Sequence, residues 1–528
     1  MINLAAIFTD GMTLQRQKPI KIWGDTDHHQ TVDVILNGNT LVKDAEIEDA
    51  FMLVLPAQEA MSDAVLEIKN DEESVVIRNI DIGEVWIAGG QSNMEFLLRY
   101  DAEADQQIKN ADDPHLRFYD VGEYTFDGEK ESTHKDNCEG WDHWMSYTKD
   151  TAEYFSAVGV YFAKVLRSTY KVPVAIIGCN WGGTTASAWL DEKYLEDDPA
   201  LHIYLEEYQK AIHDLDEETY DRQHEEALAF LESKEMTEAM HGIMYGNVGL
   251  WGYIKAIPLL LKIGKTGMPI GPRYQNAPGV LYHKMLSQIT GFSCRGFIWY
   301  QGESDDQKAE IYDRLFSAMI RCWRDSWNEE LPFLFVQLAP FGKWLGNTGD
   351  KYPIVRQKQD LVSRTVKKTW MASIMDVGDK KDIHPKQKRP VGERLALLAR
   401  GKVYGEDILC EAPQLQNVEV EDGRLLLRFQ HAGEGLAIKG KKLNALEIIT
   451  DKKKIVWKKA ETSLDTLIIE SDSISINAKL EIRYAWSAYC EANLYNSAGL
   501  CAKPFIWNSE RGMNECGHQW CIEHPKEK

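Results

Sequence analysis

Four short stretches of this chain carry side chains suited to acyl-transfer chemistry, and each follows an apolar run that reads as a strand. The first, Gly89-Gly90-Gln91-Ser92-Asn93-Met94-Glu95, sets a serine just after Val85 to Ala88 and ahead of a helical pattern. Such a turn exposes a hydroxyl at the mouth of a parallel sheet, beside backbone N–H groups that stabilise developing negative charge. Ser92 and Glu95 also fit a plainer pattern, the S-x-x-E capping box. In the second, Gly178-Cys179-Asn180-Trp181-Gly182-Gly183-Thr184-Thr185, glycines let N–H groups face a small anion, although paired glycines also make ordinary turns. The third, Trp299-Tyr300-Gln301-Gly302-Glu303-Ser304-Asp305, offers an amide for an oxyanion, a carboxylate able to orient a histidine, and an indole face for a sugar ring. The fourth runs from Asp376 to Pro385 and sets His384 among carboxylates, which reads either as a triad's base and orienter or as a surface pair.

Together these residue types describe a serine hydrolase. A serine hydroxyl is a weak nucleophile near neutral pH, so it needs an adjacent imidazole, and a carboxylate must fix that ring's tautomer. Attack on an acetyl carbonyl makes a tetrahedral oxyanion, and each donor aimed at it is worth roughly 3 to 4 kcal/mol. This chemistry calls for no metal and no cofactor.

The elements that must position these residues change in texture along the chain. Up to about Ile82, short alternating runs separated by turns such as Asn37-Gly38-Asn39 predict a small antiparallel β unit, residues 1–82. From Gly83 onward, buried runs at Val85 to Ala88, Val174 to Gly178, Gly296 to Tyr300, Phe333 to Leu338 and Trp370 to Asp376 alternate with helical segments. That pattern predicts an α/β domain over residues 83–408, its parallel sheet covered by helices on both faces. An insertion over about 195–246, rich in Glu, Lys, Ala and Leu, reads as exposed acidic helices. Alternation returns in Leu425 to Phe429 and Leu480 to Tyr484, so residues 409–528 are expected to form a β-sandwich.

Composition bounds the partners. The 528 residues suit roughly two to four domains at about 150 residues each. With 82 acidic against 60 basic residues the formal charge is −22, a field that repels nucleic acid and anionic membranes. No apolar run reaches the roughly 20 residues of a membrane span; the longest, such as Ile254 to Ile263, are broken by lysines. The N-terminal apolar run stops at Asp10 without a basic n-region, and nine cysteines form an odd, scattered set, so a cytoplasmic location with free thiols is expected. Cys516, His518, Cys521 and His524 are spaced too tightly for the usual zinc pattern and read as an ordinary tail.

The order and wording of the four motifs resemble the SGNH (GDSL-like) hydrolases, and more narrowly the sialate O-acetylesterase family with its acetylxylan-esterase relatives. Asp10-Gly11-Met12-Thr13-Leu14-Gln15-Arg16, Phe333 to Leu338 and Gly392-Glu393-Arg394-Leu395-Ala396 extend the likeness over most of residues 1–405. The resemblance implies a flavodoxin-like SGNH sheet and an esterase that releases acetate from O-acetylated sialic acid or acetylated xylo- or manno-oligosaccharides. It implies Ser92 as nucleophile, His384 as base, and an oxyanion hole of the Ser92 and Gly183 N–H groups with the Gln301 amide. Two departures stand out. The aspartate usual three residues before the histidine is Lys381 here, leaving Asp382 as the expected orienter and Glu303 as its rival, and Gln301 stands where the family commonly has asparagine. Trp181 and Trp299 are expected to stack on the sugar. A lipase or thioesterase of the same superfamily and a non-catalytic carbohydrate-binding protein are the rival readings; few long apolar surfaces and an intact Ser92 and His384 argue against them.

Overall fold

The computed structural model describes residues 1–126, 143–231, 267–344, 347–450 and 453–510, the backbone of 512–513, and eight positions between 233 and 261. The tail with Cys516, His518, Cys521 and His524 lies outside the described residues, as does most of the expected insertion beyond Leu231. The protein is mixed α/β and divides into two compact units, one of residues 1–299 and 314–332, the other of residues 300–313 and 333–528.

The first unit opens with short antiparallel strands. Gln30–Leu36 and Asn39–Ile47 form a hairpin whose turn residues, Asn37 and Gly38, both take positive φ (47° and 79°), as a two-residue turn with the twist of its strands requires. In Ala50–Leu55 the residues Phe51, Leu53 and Leu55 are buried while their neighbours face out, the two-residue period of a half-covered sheet.

The organising element is the 17-residue strand Ser74–Gly90. Its first part pairs antiparallel with Met61–Lys69, Asp81 to Gly83 pair parallel with Thr13–Gln15, and Glu84 to Gly90 pair parallel with Val174–Asn180. Burial changes with the partner: exposed and buried residues mix up to Asn79, and every residue from Ile80 to Gly90 is buried. The change of texture at residues 82 and 83 therefore marks a change of pairing within one unbroken strand. Val174–Asn180 also pairs parallel with Asp112–Asp120. The helix Ala157–Tyr170 leads into Val174–Asn180, started by the Ser156 hydroxyl, which accepts from Gly159 N at 3.1 Å. The helices Lys193–Glu196, His202–Ile212 and Glu217–Leu231 occupy the described part of the acidic insertion.

Inside the buried half of the long strand sits a carboxylate. Glu84 is fully buried, and it accepts from Arg16 Nε at 2.6 Å, Arg295 Nε at 2.8 Å and Nη2 at 3.1 Å, and Gln15 Nε2 at 3.3 Å. The Gln15 side-chain Oε1 in turn accepts from Val85 N at 2.9 Å. A buried charge persists only when paired in this way.

In the second unit Phe333–Val336 and Thr369–Ala372 pair parallel, linked by the helix Tyr352–Thr365, and the helix Arg389–Leu398 follows. Beyond them lie two antiparallel sheets, one built on Gln414–Glu421, Arg424–Gln430, Thr466–Glu470 and Lys459–Ser463, the other on Leu446–Thr450, Leu480–Tyr484 and Phe505–Asn508. Alternate residues of both, among them Leu425, Leu427, Ile469, Ile448, Ile482 and Phe505, share one core.

Replacing both Arg16 and Arg295 by methionine strands the Glu84 carboxylate. Urea unfolding at neutral pH is expected to show a loss of about 3–5 kcal/mol, the cost of an uncompensated buried charge. A loss below about 1 kcal/mol would mean that Glu84 is not held by these guanidiniums.

Candidate active site

Ser92 owes its place to the way two strands end. Asn180 pairs with Gly90, so Ser74–Gly90 and Val174–Asn180 finish level, and the turns that follow them start side by side. Gly90 has φ 139°, a backbone conformation that side chains rarely adopt, and the chain swings from it into the short helix Ser92–Glu95. The helix cap is Gln91, with no side-chain capping bond, so the capping-box reading of Ser92 does not hold. The serine is 4% exposed.

The second turn leans on this serine. Trp181 N donates to Gly90 O at 3.1 Å, and a Cβ on Gly182 would lie 3.3 Å from Ser92 Cβ and 3.0 Å from Glu95 Oε2. A side chain at 182 would have to push the Ser92 turn aside. Gly183 is exposed, with φ 75° and open space where a Cβ would point. Asn276 fastens the loop, accepting from Thr185 N at 2.7 Å and donating to Gly183 O at 3.3 Å. Thr184 adds a second lock, its hydroxyl donating to Trp181 O at 2.7 Å and accepting from Trp189 Nε1 at 3.0 Å. Ser92, Trp181 and Gly183 are thus brought together in the first unit, with Trp181 half-buried.

Gln301, Glu303, Asp382 and His384 belong to the second unit. The Gln301 side chain is fully buried: Nε2 donates to Asp305 Oδ2 at 2.6 Å, and Oε1 accepts from the Tyr312 hydroxyl at 3.0 Å. An amide nitrogen carries two hydrogens, and the Asp305 bond uses one. Gln359 ties the backbone down, donating to Gln301 O at 3.2 Å while accepting from Leu338 N at 2.9 Å. Gly302 turns the chain with φ 141° into the 3-10 segment that Glu303 begins, and Glu303 is buried.

His384 is 2% exposed, with the Trp344 ring edge-on to it at 5.7 Å between centroids. Asp382 serves the loop more directly than the ring. Its Oδ1 accepts from His384 N at 2.8 Å and stands 3.7 Å from Nδ1, longer than a hydrogen bond. Burial lifts the Asp382 carboxyl above its ordinary value, against the pull of the His384 N–H and of Lys386 and Lys388. The root of the loop is clamped where Arg394 donates to both oxygens of Asp376, at 2.6 and 2.8 Å, and the Tyr495 hydroxyl adds a bond at 3.1 Å. Burial pushes the Asp376 carboxyl up, but the Arg394 guanidinium pulls harder, and the net is below the usual carboxylate range.

One expected site residue is elsewhere. Trp299 is 1% exposed and packs among Trp189, Trp323 and Phe316, with centroid distances of 6.2, 5.4 and 6.3 Å. A Cβ on Gly89 would lie 2.8 Å from its ring, so Trp299 is a core floor beneath the strand that leads to Ser92 and cannot stack on a sugar. Asn276, Gln359, Trp344 and Lys388 were not singled out by the sequence, because each acts from a loop or helix remote from its motif or without a motif's spacing. Among the described residues, no three His, Cys, Asp or Glu side chains are grouped to hold a metal ion.

Residues 217–399 match a family model described as "Carbohydrate esterase, sialic acid-specific acetylesterase". That span holds Gln301, Glu303 and His384, and Ser92 precedes it. Along nearly its whole length the chain is similar to sialate O-acetylesterase from Mus musculus, 24% identical over 97% of this chain and 95% of that one. The Rattus norvegicus protein of the same name is 25% identical over 95% and 94%. Among solved structures it is similar to a carbohydrate acetylesterase from Xanthomonas citri, with a TM-score of 0.74, 28% identity, and coverage of 96% of this chain and 100% of that one.

Trp299→Ala is expected to cost about 3–5 kcal/mol of stability, the usual loss for a buried tryptophan. Folded enzyme at low temperature should keep its KM for an activated acetyl ester within about twofold. A raised KM at unchanged melting temperature would return Trp299 to the substrate.

Proposed function

Because the chain belongs to the sialate O-acetylesterase family of carbohydrate esterases, we propose that Ser92 is the nucleophile of a serine esterase centre and His384 its general base. The protein is a carbohydrate O-acetylesterase. What carries the serine reading is that Ser92 opens a helix just past two level strand ends, where the Gly182 backbone lies close against it. The SGNH, flavodoxin-like reading of the fold rests on the order of the four motifs and on the parallel strands that precede them.

Chemistry then follows from the side chains. Ser92 Oγ attacks the acetyl carbonyl carbon as the His384 imidazole takes its proton. The oxyanion is met by the N–H groups of Ser92 and Gly183 and by the Gln301 amide. Imidazolium returns the proton to the departing sugar oxygen, leaving acetyl-Ser92, and water activated by the same imidazole releases acetate. Half-buried Trp181, on the turn beside Ser92, offers an indole face to the sugar. The substrate is O-acetylated sialic acid or an acetylated xylo- or manno-oligosaccharide. For the residue that orients the imidazole we favour Glu303 over Asp382, because Asp382 Oδ1 is engaged by a backbone N–H and lies beyond hydrogen-bond reach of Nδ1. We place the enzyme in the cytoplasm; the free thiols of Cys294, Cys322, Cys410, Cys490 and Cys501 suit a reducing compartment.

Ser92→Ala should abolish acetate release from acetylated sialosides and xylo-oligosaccharides, with a native circular-dichroism spectrum. Retention of more than about 1% of turnover, well above the residue left when a nucleophile is lost, would remove Ser92 from its role. Turnover by wild-type protein also separates an esterase from a binding protein.

Glu303→Gln is expected to lower kcat by about 10⁴-fold, as loss of a triad carboxylate does, and Asp382→Asn by less than about tenfold. The reverse order would pass the role to Asp382.

A further inference from the structure

Lys388 is fully buried, four residues beyond His384, in a protein whose many other lysines mostly reach solvent. Burying an ammonium is costly, so its position must be matched by groups that answer its charge. It caps the helix Arg389–Leu398, its carbonyl accepting from Val391 N at 3.0 Å and Gly392 N at 3.1 Å, which fixes where the side chain leaves the backbone. Nζ lies 5.7 Å from the centroid of the Tyr300 ring, a cation–π distance. Tyr300 is the residue before Gln301, and it is fully buried too. One ammonium therefore joins the loop that carries His384 to the strand end that carries Gln301 and Glu303.

The charges around it are mixed. On its own loop are Asp379, Asp382, Lys386 and His384; from the other elements come Glu303 and Arg356, both felt at Tyr300, whose hydroxyl is pushed far up by burial and then by Glu303. Lys388 opposes the burial of the Asp382 carboxyl, acting with Lys386, which is nearer the surface.

We propose that Lys388 is a positioning residue for acetyl transfer: its ammonium, seated on Tyr300, holds the His384 loop to the Gln301 strand end and supplies a fixed positive charge beside that loop's ionisable groups. This rests on the serine esterase reading, with His384 as base. A fixed positive charge disfavours a second one, so it keeps the imidazole in the neutral form that can accept the serine proton, and it keeps nearby carboxylates ionised. Both effects have one sign. Taking the charge away raises the pH at which imidazole and carboxylates gain protons, and activity is then lost earlier as the pH falls.

The test compares full-length Lys388→Met, which keeps the stem and removes the charge, with Lys388→Arg, which keeps the charge, using acetate release from an acetylated sugar between pH 5 and 9. Lys388→Met is expected to lower kcat by about 10- to 100-fold, within the range of a mis-set general base, with KM within about twofold. Its acid limb should move up by about half a unit to one unit, and Lys388→Arg should restore both the limb and most of kcat. A wild-type acid limb in folded Lys388→Met overturns the proposal, whatever happens to kcat, because a purely structural lysine would leave the limb in place. If Lys388→Met does not fold, Lys388→Arg decides: a displaced limb in that variant overturns the proposal, and a wild-type limb with near wild-type turnover supports it. Ser92→Ala assayed alongside keeps the two readings apart. Turnover surviving in Ser92→Ala strikes the serine mechanism, whereas an inactive Ser92→Ala beside an unmoved Lys388→Met profile strikes Lys388 alone.

Discussion

The Glu84 carboxylate, held between Arg16 and Arg295, is the interaction on which the first unit depends. It sits at the point where the strand Ser74–Gly90 takes up Val174–Asn180 as its partner, and its guanidiniums come from residues far apart in sequence. An ion pair of this kind is weak evidence of net stability, since its desolvation offsets most of the attraction. Its effect is on register. A slip by one residue would turn Glu84 away from both arginines and would end the two strands unevenly, and the level ends are what set Gly182 against Ser92.

In the second unit the equivalent constraint falls on the histidine loop. Asp376 at its root is gripped by Arg394 and by Tyr495, which lies on the short C-terminal strand Leu494–Tyr495. Arg356, fully buried, donates to Leu338 O, Ala339 O, Ser487 O and Ala488 O, and Phe341 N donates to Ala488 O. The backbone of 338–341 is stitched to a C-terminal β loop in this way, and Lys343 N reaches on to Lys380 O. The C-terminal β region thus acts as a brace for the segment that carries His384.

Much of this was legible in the sequence because strand ends and glycines announce themselves. The runs at Val85, Val174 and Gly296 each became a strand, and the alternation at Leu425 and Leu480 became the C-terminal sheets. What escaped detection depended on direction and distance. Trp299 lies on a strand buried throughout, where the two-residue period no longer separates core from cleft, and its partners Trp189 and Trp323 are remote in sequence. Asp382 has the spacing of an orienter, but spacing alone does not distinguish the ring of His384 from its backbone N–H. Asn276 and Lys388 act across the fold, and no local pattern marks them.

The unbroken passage of Ser74–Gly90 through residues 82 and 83 also bears on how the chain comes apart. A module that joins its neighbour by a linker can unfold by itself. Here the amino-terminal β unit and the strand that leads to Ser92 share one continuous run of ladder hydrogen bonds. Cutting between them would fray the strand that delivers Ser92, so the two parts are expected to lose their structure together rather than one at a time.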